Sequence, residues 1–179
     1  MHVTGRLPNE VPVIETERLR LRPHRADDLE VCTALWSEPE VVRHTTGKPL
    51  TREEVWVRIL RHAGAWAMLG FSYWAVEEKA SGEFAGELGF VERKRDIQPL
   101  LEGMPEAGWS FSSRFHGNGY ATEAVRAILA WGDEHFGETP TVCIIHDGNA
   151  ASVRVAAKCG YREYARTIYK EHAVIIFIR

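Results

Sequence analysis

The sequence has little cysteine, no excess of basic residues and no long apolar run, and each absence removes a class of protein. Three cysteines in 179 residues, Cys32, Cys143 and Cys159, form an odd set at no metal-ligand spacing. A disulfide scaffold is therefore excluded and no metal is expected. Lys and Arg total 22 against 25 for Asp and Glu, giving a formal net charge of −3. Proteins built to grip phosphate backbones carry a basic surplus, so no nucleic-acid partner is expected; a local basic pocket remains compatible. No stretch approaches the ~18 apolar residues of a membrane span, and no apolar leader opens the sequence. A reduced, cytoplasmic protein with no membrane partner is the expectation. Repeats, low-complexity segments and internal linkers are also missing.

What is present is ordinary globular composition, 45% hydrophobic and 26% charged. At roughly 150 residues per domain, residues 1–179 make one domain, with residues 1–12 read as an N-terminal arm marked by Gly5, Pro8 and Pro12. Arg18-Leu19-Arg20-Leu21-Arg22 alternates as a half-buried strand, with its arginines read as a solvated face. Asp27 or Asp28 caps a helix to about Ser37, which Pro39 breaks before a polar connection to Leu50. Thr51 and Glu54 form a capping box, and the helix they open places Val55, Ile59, Ala63 and Trp66 on one stripe.

Strands are predicted over Phe71–Glu77 and Phe84–Glu92, joined by a turn at Lys79-Ala80-Ser81-Gly82. A long polar segment, 93–105, separates them from a strand at Glu106–Phe111. A helix over about 121–136, a buried strand at Val142–Ile145 and a short helix from Asn149 to Gly160 follow. Strands near Glu163–Tyr169 and Ala173–Ile178 close the chain. This order implies an α/β fold: one sheet of about seven strands with helices on both faces.

The chemistry concentrates in Arg114-Phe115-His116-Gly117-Asn118-Gly119-Tyr120-Ala121-Thr122, between a strand and an amphipathic helix. A helix start leaves backbone N–H groups unpaired and carries about half a positive charge. Gly117 and Gly119 lack the Cβ atoms that would keep an anion away, so a phosphate or pyrophosphate ligand is expected. A Walker A loop would end in Gly-Lys-Ser/Thr, and no lysine stands here. The dinucleotide fingerprint needs a third glycine where Thr122 stands.

Arg114-x-x-Gly117-x-Gly119 followed by Tyr-Ala-Thr-Glu-Ala resembles the acetyl-CoA signature of the GNAT N-acetyltransferases. Downstream, Asn149-Ala150-Ala151-Ser152 and Lys158-Cys159-Gly160-Tyr161 resemble the branch that contains ribosomal-protein N-terminal (alanine/serine) acetyltransferases. Glu15–Arg22 and Glu38-Pro39-Glu40-Val41 look like that branch's opening, so the resemblance covers about residues 14–178. It implies a mixed, mostly antiparallel GNAT-like α+β sheet, splayed between the fourth and fifth predicted strands to admit pantetheine. It also implies cofactor contacts from backbone at Ser110, Phe111 and Ser112, and from Arg114, His116, Gly117, Asn118, Gly119, Tyr120, Ala121 and Thr122 around the pyrophosphate. Asn149, Ser152 and Lys158 would complete the site.

The implied activity is acetyl transfer from acetyl-CoA to a primary amine of a protein N-terminus or small molecule, by direct attack, with coenzyme A as product. An amine is mostly protonated at neutral pH, so a base is useful. Glu106, two residues before Gly108-Trp109, is the first candidate; Glu87 on the adjacent strand is the second and His146 the third. Each has an alternative role, as an exposed strand carboxylate or a loop-bonding His. The oxyanion is expected to meet a strand N–H near Phe111. Many GNAT enzymes carry a Tyr as proton donor four residues before the Gly of the Lys-x-Gly block; here Ala156 stands there, and Ser152 is the replacement. Residues 37–50 and 93–105 are expected to wall the acceptor pocket, the latter as a lid or dimer contact in a monomer or homodimer. A catalytically weak coenzyme A-binding sensor and a binder of some other phosphate ligand are the rival readings.

Overall fold

The computed structural model describes residues 11–179, so most of the predicted N-terminal arm lies outside the described residues. Strands β1 (Ile14–Glu15), β2 (Leu19–Arg22), β3 (Tyr73–Glu78), β4 (Phe84–Val91), β5 (Glu106–Phe111), β6 (Val142–His146), β7 (Arg162–Tyr169) and β8 (His172–Ile178) form one sheet in the order β1-β2-β3-β4-β5-β6-β8-β7. Every neighbouring pair is antiparallel except β5 with β6. The mixed, mostly antiparallel sheet is thus the predicted one, with the two-residue β1 as an addition. No helix among the described residues is long and apolar enough to cross a membrane.

Helices α1 (Leu29–Leu35) and α3 (Arg52–Leu69) pack together over one face of the sheet, and α4 (Tyr120–Phe136) and α5 (Ala150–Lys158) over the other. Strand alternation sets which residues meet which layer. On β4, Leu88 and Phe90 join the core beneath α4, where Phe90 packs on Gly132 and Phe136. Glu87 turns the opposite way, onto Arg58 of α3. Gly108 has no room for a side chain, because a Cβ there would sit 1.9 Å from the Tyr73 hydroxyl.

Local readings change at several places. The first helix does end before Pro39, at Leu35, but the connection is not wholly irregular: Pro39 opens a further short helix, α2 (Pro39–Val42), where its missing N–H costs nothing. The predicted capping box of α3 is present: Thr51 Oγ1 accepts from the Glu54 N–H at 3.2 Å, and the Thr51 N–H donates to Glu54 Oε2 at 2.7 Å. The inward stripe of that helix, however, is Val55, Ile59, His62 and Trp66, with Ala63 exposed. His62 can be buried because its Nδ1 meets the Ser72 hydroxyl at 3.1 Å and its ring stacks on Tyr73.

The arginine row of β2 is not a plain solvated face either. Arg20 is exposed, but Arg22 is buried and gives paired hydrogen bonds to Asp28 at 2.7 and 2.8 Å and one to Glu77. Segment 93–105 is no open lid: Ile97 packs with Val174 and Ile176, and the Arg95 guanidinium lies over the Tyr169 ring.

Candidate active site

β5 and β6 run parallel and pair only at their starts, Glu106 opposite Val142, where the Val142 N–H donates to Pro105 O at 3.0 Å. Beyond that point the strands diverge. Antiparallel pairing with β4 sets the phase of β5: the Ser112 N–H donates to Ala85 O at 3.0 Å, so even-numbered residues turn their backbone groups towards β4. Trp109 and Phe111 therefore turn theirs into the gap. Of the backbone groups expected to face the gap at Ser110, Phe111 and Ser112, those of Phe111 do so, those of Ser110 and Ser112 turn to β4, and those of Trp109 join Phe111. The Phe111 carbonyl already accepts from His116 Nε2 at 2.8 Å, which leaves its N–H and both Trp109 groups open to the gap.

At the mouth of the gap lies a cleft of about 600 Å³. Its floor includes Trp109, Ser110 and Phe111, one end is His116, Gly117 and Gly119–Thr122, and the far wall is Gly148–Ser152 with Lys158. Gly117 and Gly119 hold φ of +79° and +80°, a region that disfavours side chains, and a Cβ on Gly117 would meet no atom within 4 Å. The first bond inside α4 runs from the Glu123 N–H to Gly119 O, so the N–H groups of Tyr120, Ala121 and Thr122 have no acceptor within the helix. Together with the helix dipole they make an anion seat.

The seat is braced from below. Arg18 Nη1 donates to Asn118 O at 2.9 Å, while Glu123 accepts from Arg18 Nε at 2.7 Å and from Thr16 Oγ1 at 2.6 Å. Burial opposes the charge on Glu123, but those donors hold its carboxyl below the usual range.

Of the expected cofactor residues, Ser110, Phe111, His116, Gly117, Gly119, Tyr120, Ala121, Thr122, Asn149, Ser152 and Lys158 come together along this cleft. Three do not. Arg114 turns away to Glu83, 2.8 Å distant; Ser112 is spent on β4; Asn118 serves the brace through its carbonyl. On α5, Asn149 Oδ1 accepts from the Ser152 N–H at 3.1 Å, so Asn149 is the cap and the Ser152 hydroxyl is free of that duty. Ala156 is fully buried in the main core rather than facing the cleft.

The two carboxylates named as bases do not line the cleft. Glu106 sits at the closed end, where Arg95 Nε and Nη2 grip both oxygens at 2.7 Å and Arg93 lies 3.7 Å away. Glu87 is fully buried; Arg58 Nε donates to it at 2.6 Å, His24 Nε2 is 3.2 Å away and His62 Nε2 3.8 Å. Burial alone would raise the Glu87 carboxyl, but Arg58 and the two histidines hold it well below the usual range. His24, Cys32 and Glu87 bring three potential metal-ligand atoms within 4.8 Å. The Arg58 guanidinium already occupies that carboxylate, and burial pushes the Cys32 thiol up, so the cluster is an internal ion pair.

The opposite rim of the cleft comes from the 37–50 segment, through Glu40, Val41, Arg43, His44 and Thr45 of α2 and the turn after it, of which the sequence singled out neither Arg43, His44 nor Thr45. They are delivered there because Glu38 Oε2 accepts from the Ser113 N–H at 2.7 Å. The 93–105 segment, also expected to wall the acceptor pocket, lines instead the small recess behind Glu106.

The Acetyltransferase (GNAT) domain family matches residues 18–162. Protein YkkB of Bacillus subtilis (strain 168), itself uncharacterised, is 37% identical over 161 residues, 87% of each chain. A chain of the GnaT acetyltransferase family from Bordetella pertussis has the same fold with a TM-score of 0.83 at 29% identity, covering 94% of this chain and 99% of that one. The ribosomal L7/L12 α-N-protein acetyltransferase RimL, solved with coenzyme A, shares the fold at 17% identity, with a TM-score of 0.76 over 94% of this chain and 97% of its own. With a domain match across most of its length and a relative 37% identical over 87% of it, this chain belongs to the GNAT acetyltransferase family.

Proposed function

We propose that the protein transfers an acetyl group from acetyl-CoA to a primary amine by direct attack in a ternary complex. The observation that carries this reading is the splayed gap: open backbone groups on Trp109 and Phe111 run towards an anion seat at the start of α4. Pantetheine is an extended chain with amides at intervals, and it matches a strand with an unfilled neighbour. The pyrophosphate matches the unpaired N–H groups of Tyr120–Thr122, with Lys158 on the facing wall. RimL, which has this fold, was solved with coenzyme A, and that supports the same ligand here.

The reaction asks three things of the chain. The ammonium R–NH₃⁺ must lose a proton before its nitrogen can form the new C–N bond. The carbonyl oxygen gains charge as that bond forms, and the open N–H of Trp109 or Phe111 is oriented to meet it. The C–S bond then breaks, and the departing thiolate takes a proton, with the Ser152 hydroxyl as the donor on the α5 wall. The net change converts ammonium and thioester into amide, thiol and one released proton. Acceptors of RimL's kind, protein N-termini, and small primary amines are both compatible with the open rim. A reducing, cytoplasmic setting suits the three free cysteines.

A second reading, a coenzyme A-binding sensor, draws on the buried Ala156, which leaves the usual Tyr position without a proton donor. Calorimetric titration with acetyl-CoA, with ATP and NAD as controls, followed by thiol release with a panel of amines, separates them. Selective micromolar binding with turnover is the expected result. Binding without turnover on any amine favours the sensor, and absence of binding by folded, ligand-free protein overturns both.

A further inference from the structure

We propose that His44, at the end of the turn following α2, is the general base that takes the proton from the acceptor amine. The inference rests on the acetyl-transfer reading. Direct transfer needs a group that is unprotonated near pH 7 and stands at the cleft, and both carboxylates suggested by the sequence fail the second condition. Glu106 is held by Arg95 at the closed end of the gap, and Glu87 is buried under Arg58. Among the titratable side chains lining the cleft, His116 is spent on the Phe111 carbonyl and Tyr120 on Glu78. The arginines and Lys158 carry charge of the wrong sign for the task, and Glu40, on the single turn of α2, is exposed to solvent at the rim. His44 remains.

Its surroundings fit the role. Nδ1 of His44 is buried and has no partner, a state that costs free energy unless water or a ligand supplies the missing bond. The ring reaches from the α2 side across to the turn after β6, where a Cβ on Gly148 would lie 3.6 Å from its Cε1. It therefore bridges the α2 rim of the cleft and the turn at the end of β6, where β6 has parted from β5. Behind it stands His146, with ring centroids 5.2 Å apart, and behind that His172, at 5.5 Å from His146. This row of imidazoles leads from the cleft towards solvent.

The charged and titratable groups around His44 are Glu40 and Arg43 on its own segment, His146 and Asp147 at the end of β6, and His172 on β8. Burial first, then His146 and Arg43, lower the pKa of His44 below the ordinary histidine value. It is accordingly neutral at pH 7, the state a base requires. In the step itself, R–NH₃⁺ gives one proton to His44 and becomes R–NH₂. That nitrogen attacks the thioester carbon, its second departing proton ends on the thiol, and His44 returns the first to water.

The test uses the purified full chain, acetyl-CoA, and two probe amines: a hexapeptide beginning with Ser, and spermidine. Thiol release is followed from pH 5.5 to 9. For His44→Gln, kcat/KM for the active amine should fall about 10²-fold at pH 7. Its acetyl-CoA Kd by calorimetry should stay within about twofold, an allowance below the tenfold step that 1.4 kcal/mol represents. Added imidazole should restore part of the rate, and the acid inflection of the wild-type profile should vanish. His44→Asn serves as the second variant, with circular dichroism to verify folding of both. A wild-type rate and profile in folded variants would overturn the proposal, as would a loss of acetyl-CoA affinity equal to the loss of rate. Turnover of neither amine by wild-type protein that binds acetyl-CoA would instead strike the acetyl-transfer reading, and the base with it.

Discussion

Glu38 and Ser113 are 75 residues apart in sequence, and the Glu38 carboxylate accepts the Ser113 backbone N–H at 2.7 Å. This contact ties the start of α2 to the turn that leads into the anion seat. The two walls of the cleft are thereby held in register. Burial works against the charge on Glu38, but the hydrogen bonds from Ser113 and Ser112 lower its pKa below the usual carboxylate range. Glu38→Ala is expected to cost about 1 kcal/mol of stability, a typical net value for a partly exposed hydrogen bond to charge. The more informative effect is kinetic. KM for the amine should rise severalfold while the acetyl-CoA Kd changes little, because α2 lines the rim of the cleft opposite the seat. Steady-state kinetics beside calorimetry resolve the two, and an unchanged KM would count against the tether.

The seat itself is tested at Gly119. Its φ of +80° disfavours any side chain, and a Cβ there would lie 3.6 Å from Arg18 Nη2, in the brace beneath the seat, so a side chain would disturb the turn that presents the Tyr120–Thr122 amides. Gly119→Val should raise the acetyl-CoA Kd at least about tenfold, or about 1.4 kcal/mol. Gly119→Ala, which strains the backbone less, should fall between the variant and the wild type. Equal affinity in a folded Gly119→Val protein would move the pyrophosphate elsewhere.

Glu106→Gln distinguishes a base from a strut. As a base, Glu106 would contribute about 10²–10⁴-fold to the rate. Held by Nε and Nη2 of Arg95 at the closed end of the gap, it is expected to act as a strut that anchors the 93–105 segment to the sheet. The substitution should lower the melting temperature and leave the rate per folded molecule within about threefold, far below a base's share. A loss of a hundredfold or more with full thermal stability would return the role to Glu106.

Much of this arrangement was legible in the sequence. Gly117 and Gly119 before an amphipathic helix disclosed the anion seat, and the Asn149–Ser152 and Lys158–Tyr161 blocks fixed the opposite wall. Those signals are local, since they depend on φ preferences and caps within a few residues. The errors are all matters of tertiary register. Whether Ser110 or Trp109 faces the gap depends on the phase of pairing with β4, which one residue of slip would invert. That Glu106 lies at the closed end follows from where β6 first meets β5. Pro39 fits both a break between helices and the first turn of a new one, and here it does both, after α1 and at the head of α2. His44 gives no signal at all in one dimension, because its neighbour His146 is supplied by a strand a hundred residues away.

The buried pair of His62 and Glu87 makes stability depend on pH in a direction that can be worked out. Burial pushes the His62 imidazole down to about 4, although Glu87 beside it pulls the other way. In the unfolded chain the same group takes up its proton near the ordinary value of about 6.5. Between those values the unfolded state binds more protons, so stability is full above about pH 6.5 and is lost as the pH falls towards 4. A drop from 6.5 to about 4 corresponds to roughly 3 kcal/mol at most. Glu87, whose carboxyl is held well below its usual range, adds a loss of the same sign at lower pH, as unfolded carboxylates protonate. Urea melts from pH 7.5 to 4.5 should therefore show a falling midpoint through this window. His62→Gln should be less stable at pH 7.5, since it loses the stacking on Tyr73, yet its midpoint should fall much less with acid. Parallel curves for the two proteins would mean that the acid sensitivity arises elsewhere, with the Arg22–Asp28 pair the next place to look.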